Sequence, residues 1–244
     1  IIMSHILNTV TDNIVNNHGP KKSFTFKPVV KPKMSSKTCI LMNAVENNDI
    51  DKVDLIIHHP SFDKNKSKLQ ASIIKSIEKD EIDIFRKLLK IVDDDVNLVD
   101  HEGNSLLYFS IYYSKTDIFK EILSNPNFDS KKSGILKAFR SCYLLPKMKP
   151  EINLHKKKDS KNTSFSPLEI MTDLYNYDQK HDHLIDFNQL LENGHSFFTD
   201  VNPSADLKNG YEFFLNHGAD PNIPDKFGVY PLQHAINIES TCLI

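Results

Sequence analysis

The stretch FFLNHGADPNIPDKFGVYPLQHAI, residues 213–236, decides the fold. An apolar run breaks at His217-Gly218 and passes through Ala-Asp-Pro-Asn. It turns again between Asp225 and Gly228, then resumes as Pro-Leu-x-x-Ala. The second half of this phrase recurs. Residues 100–111 read DHEGNSLLYFSI and residues 225–236 read DKFGVYPLQHAI, both fitting Asp-x-x-Gly-x-x-x-Leu-x-x-small-Ile. The glycine admits a turn with positive φ at no steric cost. The small residue three places after the leucine lies on the same helical face and lets a neighbouring helix approach closely.

The spacing extends towards the N-terminus. CILMNAV (39–45) pairs Leu41 with Ala44, and SIIKSI (72–77) holds Ile74 and Ser76-Ile77. Leu41, Ile74 and Leu107 follow one another at intervals of 33 residues. Each is followed by a second amphipathic run: DIDKVDLIIHH, DEIDIFRKLLK and KTDIFKEILSN. Each run has Asp or Thr near its start, which suits an N-cap or an acidic first turn. Each carries apolar residues at helical spacing, such as Val53, Ile56 and Ile57 or Ile84, Leu88 and Leu89.

Two short helices and a turn at this period form the pattern of ankyrin repeats. The chain resembles that family over residues 36–130 and 164–244, most specifically in LNHGADPN followed by DKFGVYPLQHAI. The resemblance implies an all-α solenoid of helix-turn-helix repeats, with each Asp-x-x-Gly turn at the tip of a hairpin-like loop. One helix pair has an apolar face on each side, and stacked pairs bury those faces against one another. The first two repeats lack the turn glycine, and Ser105-Leu106 stands where the family has Thr-Pro.

The period then fails. GILKAFRSCYLL supplies a helix near residue 140, but residues 147–166 read as a loop rich in Lys, Pro and Ser. A new helix is expected at SPLEIMTDLYNY, with Pro167 in its first turn. In DHLIDFNQLLENG, Leu184, Phe187, Leu190 and Leu191 share one helical face, and Asn193-Gly194 suits a C-cap. One reading makes residues 178–204 an insertion with an extra helix, leaving YEFFLNHG as the second helix of a repeat begun at residue 167. The other makes 182–193 the second helix and 205–217 an added one. Residues 1–35 read as a flexible segment without helical periodicity. Residues 36–244 read as the repeat array. The stop at ESTCLI, where a second helix is due, reads as truncation that leaves Leu232, Ala235 and Ile236 partly uncovered.

Composition narrows the function classes. A net charge of −2 provides no global field towards nucleic acid or membrane. Three scattered cysteines, Cys39, Cys142 and Cys242, form neither a disulfide framework nor a zinc site, which fits a reducing, cytoplasmic setting. No stretch reads as a membrane span or signal peptide. The seven glycines are too dispersed for a phosphate-cradling loop. There is no GxSxG, HExxH or kinase set, so no catalytic residue and no cofactor is expected. His181 and His183, two residues apart, point to different faces of a helix and read as a solvated helix start rather than metal ligands. His58, His59 and His217 read as helix-end groups meeting free carbonyls. The lysines of 21–37 and 155–161 read as solvated linker.

The resemblance places function on hairpin tips and the exposed face of each first helix, where ankyrin arrays bind partner proteins. Carried onto this chain, the partner-binding candidates are His101, Glu102 and Asn104 at one tip. Lys226, Phe227 and Val229 form another, and Tyr112, Tyr113 and Asn237 lie on helix faces beside Glu46 and Asn47. Tyr112, Tyr113 and Phe227 carry the most weight, because aromatics are enriched at energetic hot spots. Burial of two of the three would undo this assignment, and Tyr113 could pack inward. The expected partner is a protein, with no small-molecule substrate and no nucleic acid. The rival expectation is a targeting arm of a larger host-modulating effector or enzyme whose catalytic domain lies outside this chain.

Overall fold

The structure, a computed structural model, describes residues 39–64, 68–144, 166–200 and 207–237. The expected flexible segment 1–35, nearly all of the loop 147–166 and the final ESTCLI lie outside them. The described residues are helical, with no strand and one isolated antiparallel bridge, between Val99 and Ser105. Three helix pairs come first: α1 (Ile40–Glu46) with α2 (Ile50–Ile57), α3 (Leu69–Lys79) with α4 (Ile82–Lys90), and α5 (Leu106–Tyr112) with α6 (Thr116–Leu123). Then follow α7 (Ile135–Leu144), α8 (Pro167–Lys180), α9 (Leu207–Asn216) and α10 (Pro231–Asn237).

First helices stack on first helices, α1 on α3 on α5 on α7, and α2 stacks on α4. The small residue makes this approach possible. Ala44, Ser76 and Ser110 are fully buried and Ser141 nearly so. A buried serine needs a hydrogen-bond partner, and each finds one three residues back. Ser76 Oγ donates to the Ile73 carbonyl at 2.6 Å, Ser110 to Leu107 at 2.7 Å and Ser141 to Ala138 at 2.6 Å. Ile73, rather than Ile74, is therefore the counterpart of Leu41 and Leu107. The strict interval of 33 slips by one residue in the second repeat, although Ile74 is buried too.

The tight link between paired helices repeats as well. Asn48, Asp80 and Ser114 each have positive φ. The next amide reaches back over the helix end: Asp49 N–H to Ala44 O at 2.9 Å, Glu81 to Ser76 at 2.9 Å, Lys115 to Ser110 at 2.7 Å. This left-handed cap satisfies carbonyls the helix leaves open and reverses the chain in three residues. On the second helices, Lys87 meets Asp54 at 2.6 Å and Arg86 meets Glu121 at 2.7 Å, tying α4 to α2 and α6.

The expected extra helix at 182–193 is absent: these residues are turns and extended chain. The buried carboxylate of Asp178 accepts from the amides of Leu184 at 2.9 Å and Ile185 at 2.8 Å. These amides are thus bonded outside any helix. Phe187 and Leu191 are buried as the helical face required, but Leu190 is exposed. Helix α8 is not the start of a new pair. It packs against α7, and α9 packs against α8, so α8 is the delayed partner of α7. Around this junction Phe139, Tyr143, Phe187, Phe197, Phe213 and Phe214 form a continuous aromatic core. Pro167 does occupy the first turn of α8, behind Ser166 as N-cap.

Candidate partner-binding face

Two hairpin tips are built alike. Asp100 Oδ1 accepts from the amides of Glu102 and Asn104, both at 2.8 Å; Asp225 Oδ1 accepts from Phe227 and Val229, both at 2.9 Å. The glycine amide closes the turn onto the aspartate carbonyl, Gly103 to Asp100 at 3.0 Å and Gly228 to Asp225 at 2.9 Å. One carboxylate thus satisfies the turn and leaves the intervening side chains free to point outwards. A third tip has the same backbone bonds, Gly194 N–H to Leu191 O at 2.7 Å and Leu191 N–H to His195 O at 2.9 Å, with Leu191 in place of the aspartate.

The sequence-derived residues fall into three groups. At the first tip His101 and Glu102 are exposed, but Asn104 is only 9% exposed. Its amide donates to Asp100 Oδ2 at 3.1 Å and Glu102 Oε2 at 3.3 Å, so it holds the tip together instead of presenting a contact. Lys137 of α7 donates to the carbonyls of Glu102 and Gly103 at 3.4 and 3.2 Å. It also places its ammonium 5.6 Å from the Tyr108 ring centre.

On α5, Tyr112 and Tyr113 are half-buried and pack against the core. Their rings meet edge to face at 5.0 Å and 85°. Tyr112 stacks on Tyr108 at 6.0 Å, and Tyr113 on Phe109 at 6.2 Å. Burial raises the pKa of both phenols, and the nearby Glu78 carboxylate adds to it. Tyr108 is pushed up to about 12, chiefly by burial.

At the last tip Phe227 is 57% exposed, Lys226 is exposed and Val229 half-buried. Phe227 rests on His195 at 5.1 Å, with Lys226 Nζ 5.0 Å from its ring centre. The Lys226 amide donates to Gly194 O at 2.9 Å, joining this tip to the third one. Asn237 is exposed at the end of α10. Leu232 and Ile236 are about half exposed, whereas Ala235 is buried.

Sequence reasoning missed His195, whose Nδ1 lies 3.1 Å from the buried Asp225 Oδ2. A signal existed. Asn97, Asn188 and Asn222 each stand six residues before a tip glycine: Gly103, Gly194 and Gly228. That spacing marks the third tip even without its aspartate.

His58 and His217 act as helix-end groups, whereas His59 Nδ1 accepts from Ser61 N–H at 3.1 Å, and His181 and His183 follow the end of α8 instead of starting a helix. His58 Nδ1 lies 2.9 Å from Asp54 O, His181 2.7 Å from Tyr177 O and His217 2.7 Å from Phe213 O. Of the cysteines, Cys39 caps α1 with its sulfur, accepting from Met42 N–H at 3.4 Å. Burial pushes the Cys142 thiol far above its ordinary pKa. No described helix is long and apolar enough to cross a membrane.

No family model matches the sequence, and no curated protein matches it. Among solved structures the chain is similar to the crystal structure of EF0377, an ankyrin repeat protein. The TM-score is 0.52 at 14% identity, over 84% of this chain and 94% of that one. At such identity the likeness is one of fold. Together with the stacked helix pairs and the Asp-x-x-Gly tips, it makes this chain an all-α ankyrin-repeat solenoid with an interrupted repeat.

Proposed function

We propose that this chain is a non-catalytic scaffold that binds a partner protein through its hairpin tips and the outer face of its first helices. The observation that carries this reading is the division of labour at the tips. Asp100 and Asp225 satisfy the turn backbone, while His101, Glu102, Lys226 and Phe227 are exposed. An exposed phenylalanine at a rigid turn has no part in the core and suits an interface anchor. Tyr112 and Tyr113 add half-buried aromatic surface on the neighbouring helix face, and Asn104 is withdrawn from the binding set. In this reading residues 36–244 form one array, interrupted between α7 and α8.

The test is affinity capture with the array as bait, repeated with Tyr112→Ala and Phe227→Ala. Loss of a captured protein with either variant, at unchanged helicity, supports the face. An identical catch from all three baits sinks it and moves attention to the segment between α7 and α8.

A further inference from the structure

We infer that the first-helix face at α3 and α5, floored by Tyr112 and Tyr113 and edged by Glu78 and Glu46, receives an arginine side chain from the partner protein. This rests on the proposed binding face and specifies the chemistry it reads. Two edge-to-face phenol rings present π surface in two directions, and such surface attracts a cation. The array already seats one in this way, because Lys137 sits over Tyr108, the ring on which Tyr112 stacks. Among the described residues no cation sits over Tyr112 or Tyr113.

The charge beside the rings has the matching sign. Lys75 Nζ lies 2.9 Å from Glu78 Oε2 and 3.6 Å from Glu46 Oε1, with its side chain only 12% exposed. The two carboxylates are about three times more exposed than the lysine between them. One ammonium against two carboxylates leaves one negative charge on the first-helix row that runs from Glu46 through Glu78 to Tyr112, each two residues after a buried small residue, Ala44, Ser76 or Ser110. Lys115, two residues after Tyr113, does not cancel it, since its ammonium lies 3.6 Å from the Asp80 carboxylate. A guanidinium can stack on a ring and pair with a carboxylate at once, which a compact ammonium does less well. An acidic segment placed here would meet the excess charge and be rejected.

The test uses three soluble pentapeptide libraries, acetylated and amidated, with arginine, citrulline or glutamate fixed at the centre and the flanking positions randomised. Tyr112 and Tyr113 ring signals are followed by NMR on the whole chain. The arginine library should give saturable shifts about tenfold larger than the citrulline or glutamate library at equal concentration. Tyr112→Ala should abolish them. Glu46→Gln should weaken them while leaving the fold intact, since the Glu46 side chain reaches solvent and Lys75 keeps Glu78 at 2.9 Å. Equal responses to arginine and citrulline, or no ring shift with arginine, overturn the inference. If protein capture still depends on Tyr112 after such a result, the binding face stands without its arginine preference. If capture is also indifferent to Tyr112, the Tyr112 part of the face falls as well.

Discussion

Arg140 of α7 grips Asp200, 60 residues away, through two parallel bonds of 2.8 Å, Nε to Oδ2 and Nη2 to Oδ1. The pair crosses the junction where the repeat period breaks. The carboxylate side chain is 6% exposed, and it also accepts from Asn193 Nδ2 at 2.7 Å and lies 3.5 Å from the Tyr143 hydroxyl. Burial and the Asp200 charge push the Tyr143 phenol far above its ordinary range, so it remains a neutral donor. Removing the guanidinium strands a buried charge. Arg140→Ala should therefore cost about 3–5 kcal/mol, read as a lower urea midpoint. Arg140→Met with Asp200→Leu should cost less than Arg140→Ala alone, because both charges leave together. A double variant as unstable as the single one would show that the pair's packing, not its charge, matters.

Asn97 and Asn188 make the same hand-off between successive loops. Asn97 Nδ2 donates to Asn127 O at 2.7 Å and Asn188 Nδ2 to Gly218 O at 3.0 Å, each across 30 residues. The side-chain oxygens accept from Asp129 N–H at 2.8 Å and Asp220 N–H at 2.7 Å, each across 32. Asn97 Oδ1 also accepts from Ser133 Oγ at 2.7 Å. Asn188→Ala should cost about 1–2 kcal/mol and Asn97→Ala more, about 2–3 kcal/mol, since a third bond goes with it. Equal losses, or losses under half a kilocalorie, would mean that water replaces these bonds freely.

These asparagines also explain what was legible in the sequence. The Asp-x-x-Gly phrase is local chemistry, a carboxylate and a glycine meeting the demands of one turn, so two tips could be read directly. At the third tip Leu191 contributes to the core instead. The stretch then reads as an amphipathic helix, because Phe187 and Leu191 are buried for other reasons. Pairing of α7 with α8 was hidden by chain length, since the segment between them displaces the second helix by about twenty residues. Asn104 was misplaced because a position at a tip does not reveal whether its amide turns back to Asp100. The exposure of Phe227 follows from its place between Asp225 and Gly228.

Gly103 and Gly194 separate backbone strain from space. Both have positive φ, 72° and 84°, but a Cβ at Gly103 would meet nothing within 4 Å. At Gly194 it would fall 1.8–2.4 Å from the Lys226 side-chain carbons. Gly103→Ala should cost about 1–2 kcal/mol from backbone conformation alone. Gly194→Ala should cost more and should also displace Lys226 and its neighbour Phe227. Adding Lys226→Ala should bring the Gly194→Ala loss down to that of Gly103→Ala in thermal unfolding. An excess that survives Lys226→Ala would clear the lysine stem as its cause, and no excess at all in Gly194→Ala would show that the stem moves aside without penalty.

The last junction should loosen in mild acid. His234 of α10 is partly buried, and its Nδ1 is shielded from solvent with no hydrogen-bond partner. Burial lowers its pKa from 6.5, the neighbouring His195 lowers it further and Asp225 opposes both; Lys226 is the other charged group at this tip. The folded chain therefore holds His234 neutral where the unfolded chain would take up a proton. The stability this neutral ring contributes is present above pH 6.5 and drains away as the pH falls below it, towards the depressed folded value. His195 Nδ1 lies 3.1 Å from Asp225 Oδ2. Comparison with His234→Leu isolates the contribution of the His234 ring. Between pH 7.5 and 5.5 the native protein should lose protection of α10 amides against hydrogen exchange, while His234→Leu should lose markedly less. Parallel pH profiles for the two proteins would place the acid sensitivity of α10 elsewhere, with His195 and Asp225 the next groups to vary.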